Sequence, residues 1–101
     1  PNITTPISSP DSLSIQTDLS SYHEKDLIAI NGTSNISGSV NLSIENQNNE
    51  LVWTEQISTR DNGKFSTLAI AGGAGWESSG DYTIKVDNGK ETISNSFSFT
   101  R

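Results

Sequence analysis

A chain of 101 residues with 12 acidic and six basic side chains, net charge −6 and no Cys or Met fits one domain and excludes a disulfide framework or thiol chemistry. Nucleic-acid binding is excluded too, because phosphate recognition needs clustered Lys and Arg and the six here are scattered. No apolar run approaches the roughly 20 residues of a membrane helix, and the 37 Asn, Ser and Thr residues point to a wet, hydrogen-bonding surface.

Pro1, with no Met before it, predicts a chain processed or cut from something longer. Residues 1–11 hold all three prolines and no sustained periodicity, so they read as an extended N-terminal arm with Ile3 and Ile7 as its apolar grip. The remaining residues, 12–101, form the domain. From Leu13 onward, period-two segments recur at the spacing of a sandwich or barrel, each bounded by Gly, Asn, Asp or Ser.

Seven strands are expected. The first, Ser12 to Asp18, places Leu13, Ile15 and Thr17 on one face, and the second, Leu27 to Gly32, turns Ile28 and Ile30 inward. The third, Ser39 to Asn46, sets Val40, Leu42 and Ile44 against Asn41, Ser43 and Glu45. Gln47 to Glu50 makes the turn into the fourth, Leu51 to Ser58, where Leu51, Trp53 and Ile57 share a parity that Glu55 interrupts, as at a bulge or an edge. Asp-Asn-Gly-Lys occurs at Asp61 to Lys64 and again at Asp87 to Lys90, and Asn-Gly supplies the positive φ angles of tight turns. Phe65 to Ile70 follows the first copy, with parity open between Phe65/Ala69 and Leu68/Ile70. The second copy joins Asp81 to Val86 to Glu91 to Phe99, whose Ile93, Phe97 and Phe99 point inward. No window shows a capped 3.6-residue period, so the chain is all-β.

Residues Ser21 to Gly32 resemble the Y-x-x-G-D-x-I-x-I-x-G opening of immunoglobulin-like and macroglobulin-like (fibronectin-III-like) repeats of prokaryotic surface proteins, departing from it at Lys25, where the pattern has Gly. Asn62-Gly63-Lys64-Phe65-Ser66 is similar to their G-x-F-S strand. Gly72-Gly73-Ala74-Gly75-Trp76, followed by Gly80 to Val86, resembles their G-x-Y-T-I-x-V strand, most of all in secreted and envelope proteins of ammonia-oxidising archaea. The resemblance implies a seven-stranded immunoglobulin-like antiparallel sandwich. It also implies an extracellular structural unit of a surface layer, filament or multidomain cell-surface protein, whose partners are copies of itself or neighbouring domains. The alternative it leaves open is an adhesin-like module binding carbohydrate or protein.

Candidate sites are few. Asn-x-Ser/Thr acceptors for N-glycosylation stand at Asn2, Asn31, Asn35 and Asn41, against about 2.7 expected by chance from the composition. Trp53 and Tyr82 share parity with apolar neighbours and are expected in the core, whereas Trp76, in a Gly-rich loop, either plugs the sandwich end or stands exposed as a contact residue. Asp18, Glu24, Asp26, Asp61, Asp81 and Asp87 lie near strand ends, where a hard cation such as calcium finds oxygen ligands, although no EF-hand spacing is present. His23 has no second His, no Cys and no nucleophile-elbow Ser, and reads as a surface loop residue. Asn95 points inward by parity, but the first strand has no Lys to join it in an isopeptide. No cofactor and no catalytic residue are expected. Ile3 and Ile7 are the candidate assembly anchors.

Overall fold

The computed structural model describes residues 13–36 and 38–101, and the proposed arm, with Asn2, Ile3 and Ile7, lies outside them. Eight strands appear among the described residues: β1 Ser14–Thr17, β2 Ser21–His23, β3 Leu27–Thr33, β4 Ser39–Glu45, β5 Leu51–Ser58, β6 Lys64–Ile70, β7 Gly80–Asp87 and β8 Thr92–Thr100. They form a three-stranded sheet, β1-β3-β6, packed on a five-stranded sheet, β2-β8-β7-β4-β5, as an immunoglobulin-like sandwich.

The expectation of seven antiparallel strands is corrected at one place. An eighth strand lies between the first and second predicted ones: β1 pairs antiparallel with β3, then the chain crosses at Asp18 to Ser20 and β2 pairs parallel with β8, Tyr22 opposite Phe99. Asp18 N–H still donates to Ala29 O at 3.0 Å, and Ser98 N–H donates to Ser20 O at 2.9 Å, so the crossing leaves one sheet only as it joins the other. His23 therefore sits in a short strand rather than a loop, with its side chain exposed.

Alternation decides which face each strand buries. Ile28 and Ile30 of β3, Val40, Leu42 and Ile44 of β4, and Tyr82, Ile84 and Val86 of β7 are all buried, as their parity requires. Each such side chain contributes about 1.5–3 kcal/mol of burial. The open parity of β6 resolves in favour of Phe65 and Ala69, which leaves Leu68 and Ile70 outside. Gly32, which pairs with both Ile15 and Phe65, makes this fit: a Cβ there would stand 2.1 Å from the Ser14 carbonyl oxygen and 2.7 Å from the Phe65 ring.

The five-stranded sheet is the wider one, and its margins are less covered. Trp53, expected in the core, is half-buried on the edge strand β5 and packs against the core from the side. Asn95, inward by parity, is exposed on β8. The bulge anticipated in β5 falls between Ile44 and Glu45 in the pairing of β4 with β5. Glu55 remains on the inner parity of that edge, where it accepts a 2.5 Å hydrogen bond from Thr67 of β6, tying the two sheets together along their open side.

Aromatic packing closes one end. Tyr82 donates its hydroxyl hydrogen to Ser78 O at 2.7 Å, the tyrosine-corner bond of immunoglobulin-like sandwiches. Trp76 stacks on Tyr82 with ring centroids 4.6 Å apart and meets Phe99 edge-on at 5.0 Å. The Gly-rich loop permits this. Gly75 takes φ +91° and lies so close to Val52 that a Cβ would come within 2.4 Å of its side chain. Trp76 is therefore the plug, 3% exposed, and its candidacy as an exposed contact is corrected.

Candidate functional site

The outer face of the three-stranded sheet is built in rows by strand register. Thr33 pairs with both Ser14 and Lys64, Asn31 with Gln16 and Ser66, Ala29 with Leu68, and Leu27 with Ile70. Period-two geometry puts all these side chains on the solvent side, because Ile28, Ile30, Phe65 and Ala69 occupy the other. The face consequently has two halves: hydrogen-bonding and basic toward the Lys64 end, apolar toward the Ile70 end.

The polar half encloses a cleft of about 280 Å3 lined by Ser14, Gln16, Asn31, Thr33, Arg60, Lys64 and Ser66, with Gly32 and Phe65 at its base. Its walls are fixed by their own bonds. The Ser14 and Thr33 hydroxyls are 2.8 Å apart, Gln16 Nε2 donates to Asn31 Oδ1 at 3.0 Å, and Arg60 Nη2 donates to Ser66 Oγ at 3.2 Å. The first Asp-Asn-Gly-Lys copy places the two cations together. Arg60 N–H donates to Lys64 O and Gly63 N–H to Arg60 O, each at 2.8 Å, so the turn brings residues 60 and 64 to one end of the sheet. Among the described residues neither cation has a carboxylate partner, since the ion pairs are His23–Asp26 and Lys85–Glu45. In a chain of net charge −6 this is a local positive spot.

The apolar half holds three of the five exposed large hydrophobic residues among the described residues, Leu27, Leu68 and Ile70, each 57–61% exposed, beside the half-buried Ala29. The hydroxyls of Ser14 and Thr33 are paired with each other, and that of Ser66 accepts from Arg60.

The sequence-derived candidates are mostly not brought together. Asn31 falls in the cleft wall, bonded to Gln16, rather than at a strand end. Asn41 is exposed on the outer face of β4, and Asn35 is exposed in the loop before it. The strand-end carboxylates serve local structure: Asp26 accepts from His23 N–H at 2.7 Å, Asp87 from Gly89 N–H at 2.7 Å, and Asp18 from the Tyr22 hydroxyl. Among the described residues no group of three or more His, Asp or Glu could hold a metal ion. Of the cleft residues, Ser14, Gln16 and Arg60 carried no motif, and Lys64 and Ser66 only that of a turn and strand, although the apolar residues on outward parity in β3 and β6 were a usable sign.

The fold is an immunoglobulin-like β-sandwich whose three-stranded sheet has an outer face with a polar half and an apolar half. No protein-family model and no curated protein matches the chain. Among solved structures it is similar to the sulfur carrier protein SoxY from Chlorobium limicola f thiosulfatophilum, with 14% identity and a TM-score of 0.49 over 97% of this chain and 87% of that one. That structure is of a sulfur carrier, not of a surface-layer, filament or adhesive unit. The expected extracellular structural role and the cell-surface location are corrected on that finding. At this identity the likeness is one of fold alone.

Proposed function

We propose that this chain is a non-catalytic, immunoglobulin-like interaction domain that holds an extended acidic polypeptide segment across the outer face of β1-β3-β6. One observation carries the reading. Arg60 and Lys64, which pair with no carboxylate among the described residues, stand at one end of a strip whose other end is Leu27, Leu68 and Ile70. A carboxylate is the natural partner of the guanidinium and ammonium pair, and aliphatic side chains are the natural cover of the strip. The rows along β6 advance about 6.6–6.8 Å per pair of residues, which is the side-chain repeat of an extended peptide. The order of the immunoglobulin-like segments in the sequence further supports a repeat domain of a longer protein.

The test is an NMR titration with short Glu/Ile peptides. Amide shifts are expected at Asn31, Thr33, Ser66 and Leu68, with affinity falling about tenfold in the Arg60→Gln/Lys64→Gln variant and falling also as salt rises. Binding that is equally strong in the double variant ends the proposal.

A further inference from the structure

We infer that β6 pairs edge to edge with β6 of a second copy of this chain, antiparallel about a two-fold axis at Leu68. The inference does not depend on the peptide reading, because it uses the edge of the small sheet and leaves the outer face and Arg60 open. The two sheets end in β1 and β6 and in β2 and β5. Three of these edges are blunted: β1 has four residues, β2 has three, and the ladder of β4 with β5 slips next to Leu51. β6 is different. It runs for seven residues in unbroken register with β3, without proline, and Lys64 at its start is its only charged residue.

The ladder decides which backbone groups of β6 face outward. Just outside the strand, Gly63 O accepts from Ser34 N–H, Ala71 O accepts from Lys25 N–H, and Ala71 N–H donates to Asp26 O. Bonding direction alternates along an antiparallel strand, so the odd-numbered residues of β6 face β3 and the even-numbered ones face away. Lys64 agrees: its C=O accepts Arg60 N–H and its N–H donates to Asn62 Oδ1, both within the turn. The N–H and C=O of Ser66, Leu68 and Ile70 therefore form a template for a further strand, β3 being the one ladder neighbour of β6 among the described residues.

Self-pairing satisfies that template in a single register. With Leu68 opposite Leu68 of the second copy, Ser66 meets Ile70 and Ile70 meets Ser66, so every outward group is bonded. Sliding by two residues one way sets Ile70 opposite Lys64, whose groups the turn already uses; sliding the other way sets Ser66 opposite Gly72, past the end of the strand. The same register brings the two exposed leucines together and sets each Ile70 diagonal to the facing Leu68, which removes apolar surface from water.

Charge selects a second copy as the occupant. No carboxylate occurs from Asn62 to Gly73, so two chains of net charge −6 meet where neither is acidic. The register directs Lys64 toward Gly72 of the second copy, and the Glu24 side chain lies over Gly72, where a Cβ would stand 2.9 Å from Glu24 Cγ. Neither Lys64 nor Glu24 belongs to an ion pair among the described residues, and the two-fold brings them together at both ends of the seam.

Sedimentation of the full chain across about a hundredfold range of concentration should show a reversible monomer–dimer equilibrium. Amide hydrogen exchange over the same range locates the seam: exchange at Ser66, Leu68 and Ile70 should slow as concentration rises, while Phe65, Thr67 and Ala69, already bonded to β3, exchange slowly throughout. Leu68→Lys sets two ammonium groups directly across the seam and should weaken association about tenfold or more. Leu27→Lys, similarly exposed but on β3, should leave it unchanged. A chain that stays monomeric overturns the inference. So does a dimer whose exchange at Ser66, Leu68 and Ile70 is independent of concentration. Equal loss of association in the two Lys variants overturns it as well, since the copies would then meet face to face through the apolar half.

Discussion

The Tyr22 hydroxyl donates to the Asp18 carboxylate and accepts the Leu19 N–H at 2.9 Å, so one side chain fixes the point where the chain passes from the small sheet to the large one. The Tyr22 ring is buried against Phe97, edge to face at 5.5 Å, while Asp18 also accepts Ala29 N–H at 3.2 Å. Tyr22 thus anchors the crossing from below.

This pair gives stability a bell-shaped pH dependence. The Tyr22 bond, with help from the Ala29 N–H, holds the Asp18 carboxyl below its ordinary value, so its contribution is present above about pH 4 and is lost as pH falls through the lowered folded value. Burial, and then the Asp18 bond, push the Tyr22 hydroxyl above its ordinary value near 10, so that contribution is present below pH 10 and is lost as pH rises through the raised folded value. Tyr22→Phe should therefore be less stable than the parent by on the order of 1 kcal/mol at neutral pH, discounted because Asp18 is open to water. Denaturant melts should show the gap narrowing below pH 4 and above pH 10. A gap that does not change with pH would remove the Asp18 bond as its origin.

Trp76 and Tyr82 support a second expectation. Removing the buried indole strips the stack from Tyr82 and opens the end of the core, so Trp76→Ala should cost about 3–5 kcal/mol. Trp53→Ala, at a half-covered edge, should cost nearer about 2 kcal/mol. Iodide should quench Trp53 emission and spare Trp76, measured in the two single-Trp variants Trp76→Phe and Trp53→Phe; equal quenching would contradict the plugged end.

Much of this fold is legible in the sequence where burial is one-sided, as in β3, β4 and β7, because the period-two pattern states directly which residues meet the core. β2 escapes such reading. It has three residues and one buried side chain, and its partner β8 lies more than seventy residues away. Trp53 and Asn95 show another limit: parity gives the face, but only the width of the opposing sheet decides whether that face is covered. The contact face is harder still. Gln16, Asn31 and Ser66 look like ordinary outward polar positions until the order β1-β3-β6 sets them in one row.

The two Asp-Asn-Gly-Lys copies make the same turn residues do different work. Asn88 is buried: its Oδ1 accepts Lys90 and Glu91 N–H, each at 3.0 Å, and its Nδ2 lies 3.4 Å from Ser34 Oγ and from Asn35 Oδ1, joining the β7–β8 turn to the loop after β3. Asn62 is exposed and its Oδ1 accepts Lys64 N–H, at 3.0 Å. Asn88→Ala should then cost about 1–3 kcal/mol by stranding buried partners, and Asn62→Ala less than about 1. Chemical denaturation of the two variants compares them, and equal losses would mean the contacts of Asn88 add nothing beyond the turn.

Lys25 stands where the resembling repeats carry Gly, and it takes φ +74°. The turn leaves no alternative, because Lys25 N–H donates to Ala71 O at 2.8 Å, Asp26 N–H donates to His23 O at 3.0 Å, and Ala71 N–H donates to Asp26 O at 2.9 Å. Three backbone bonds therefore hold an L-residue in a left-handed conformation that costs roughly 1–2 kcal/mol. Glycine relieves that strain but loses more entropy on folding, by about 0.5–1 kcal/mol, so Lys25→Gly should gain only a few tenths to about 1 kcal/mol. Lys25→Ala keeps the Cβ and should gain nothing. Thermal melts of the two variants separate backbone strain from loss of the Lys charge: a gain shared by both would assign the effect to the charge, and a gain confined to Gly assigns it to the backbone.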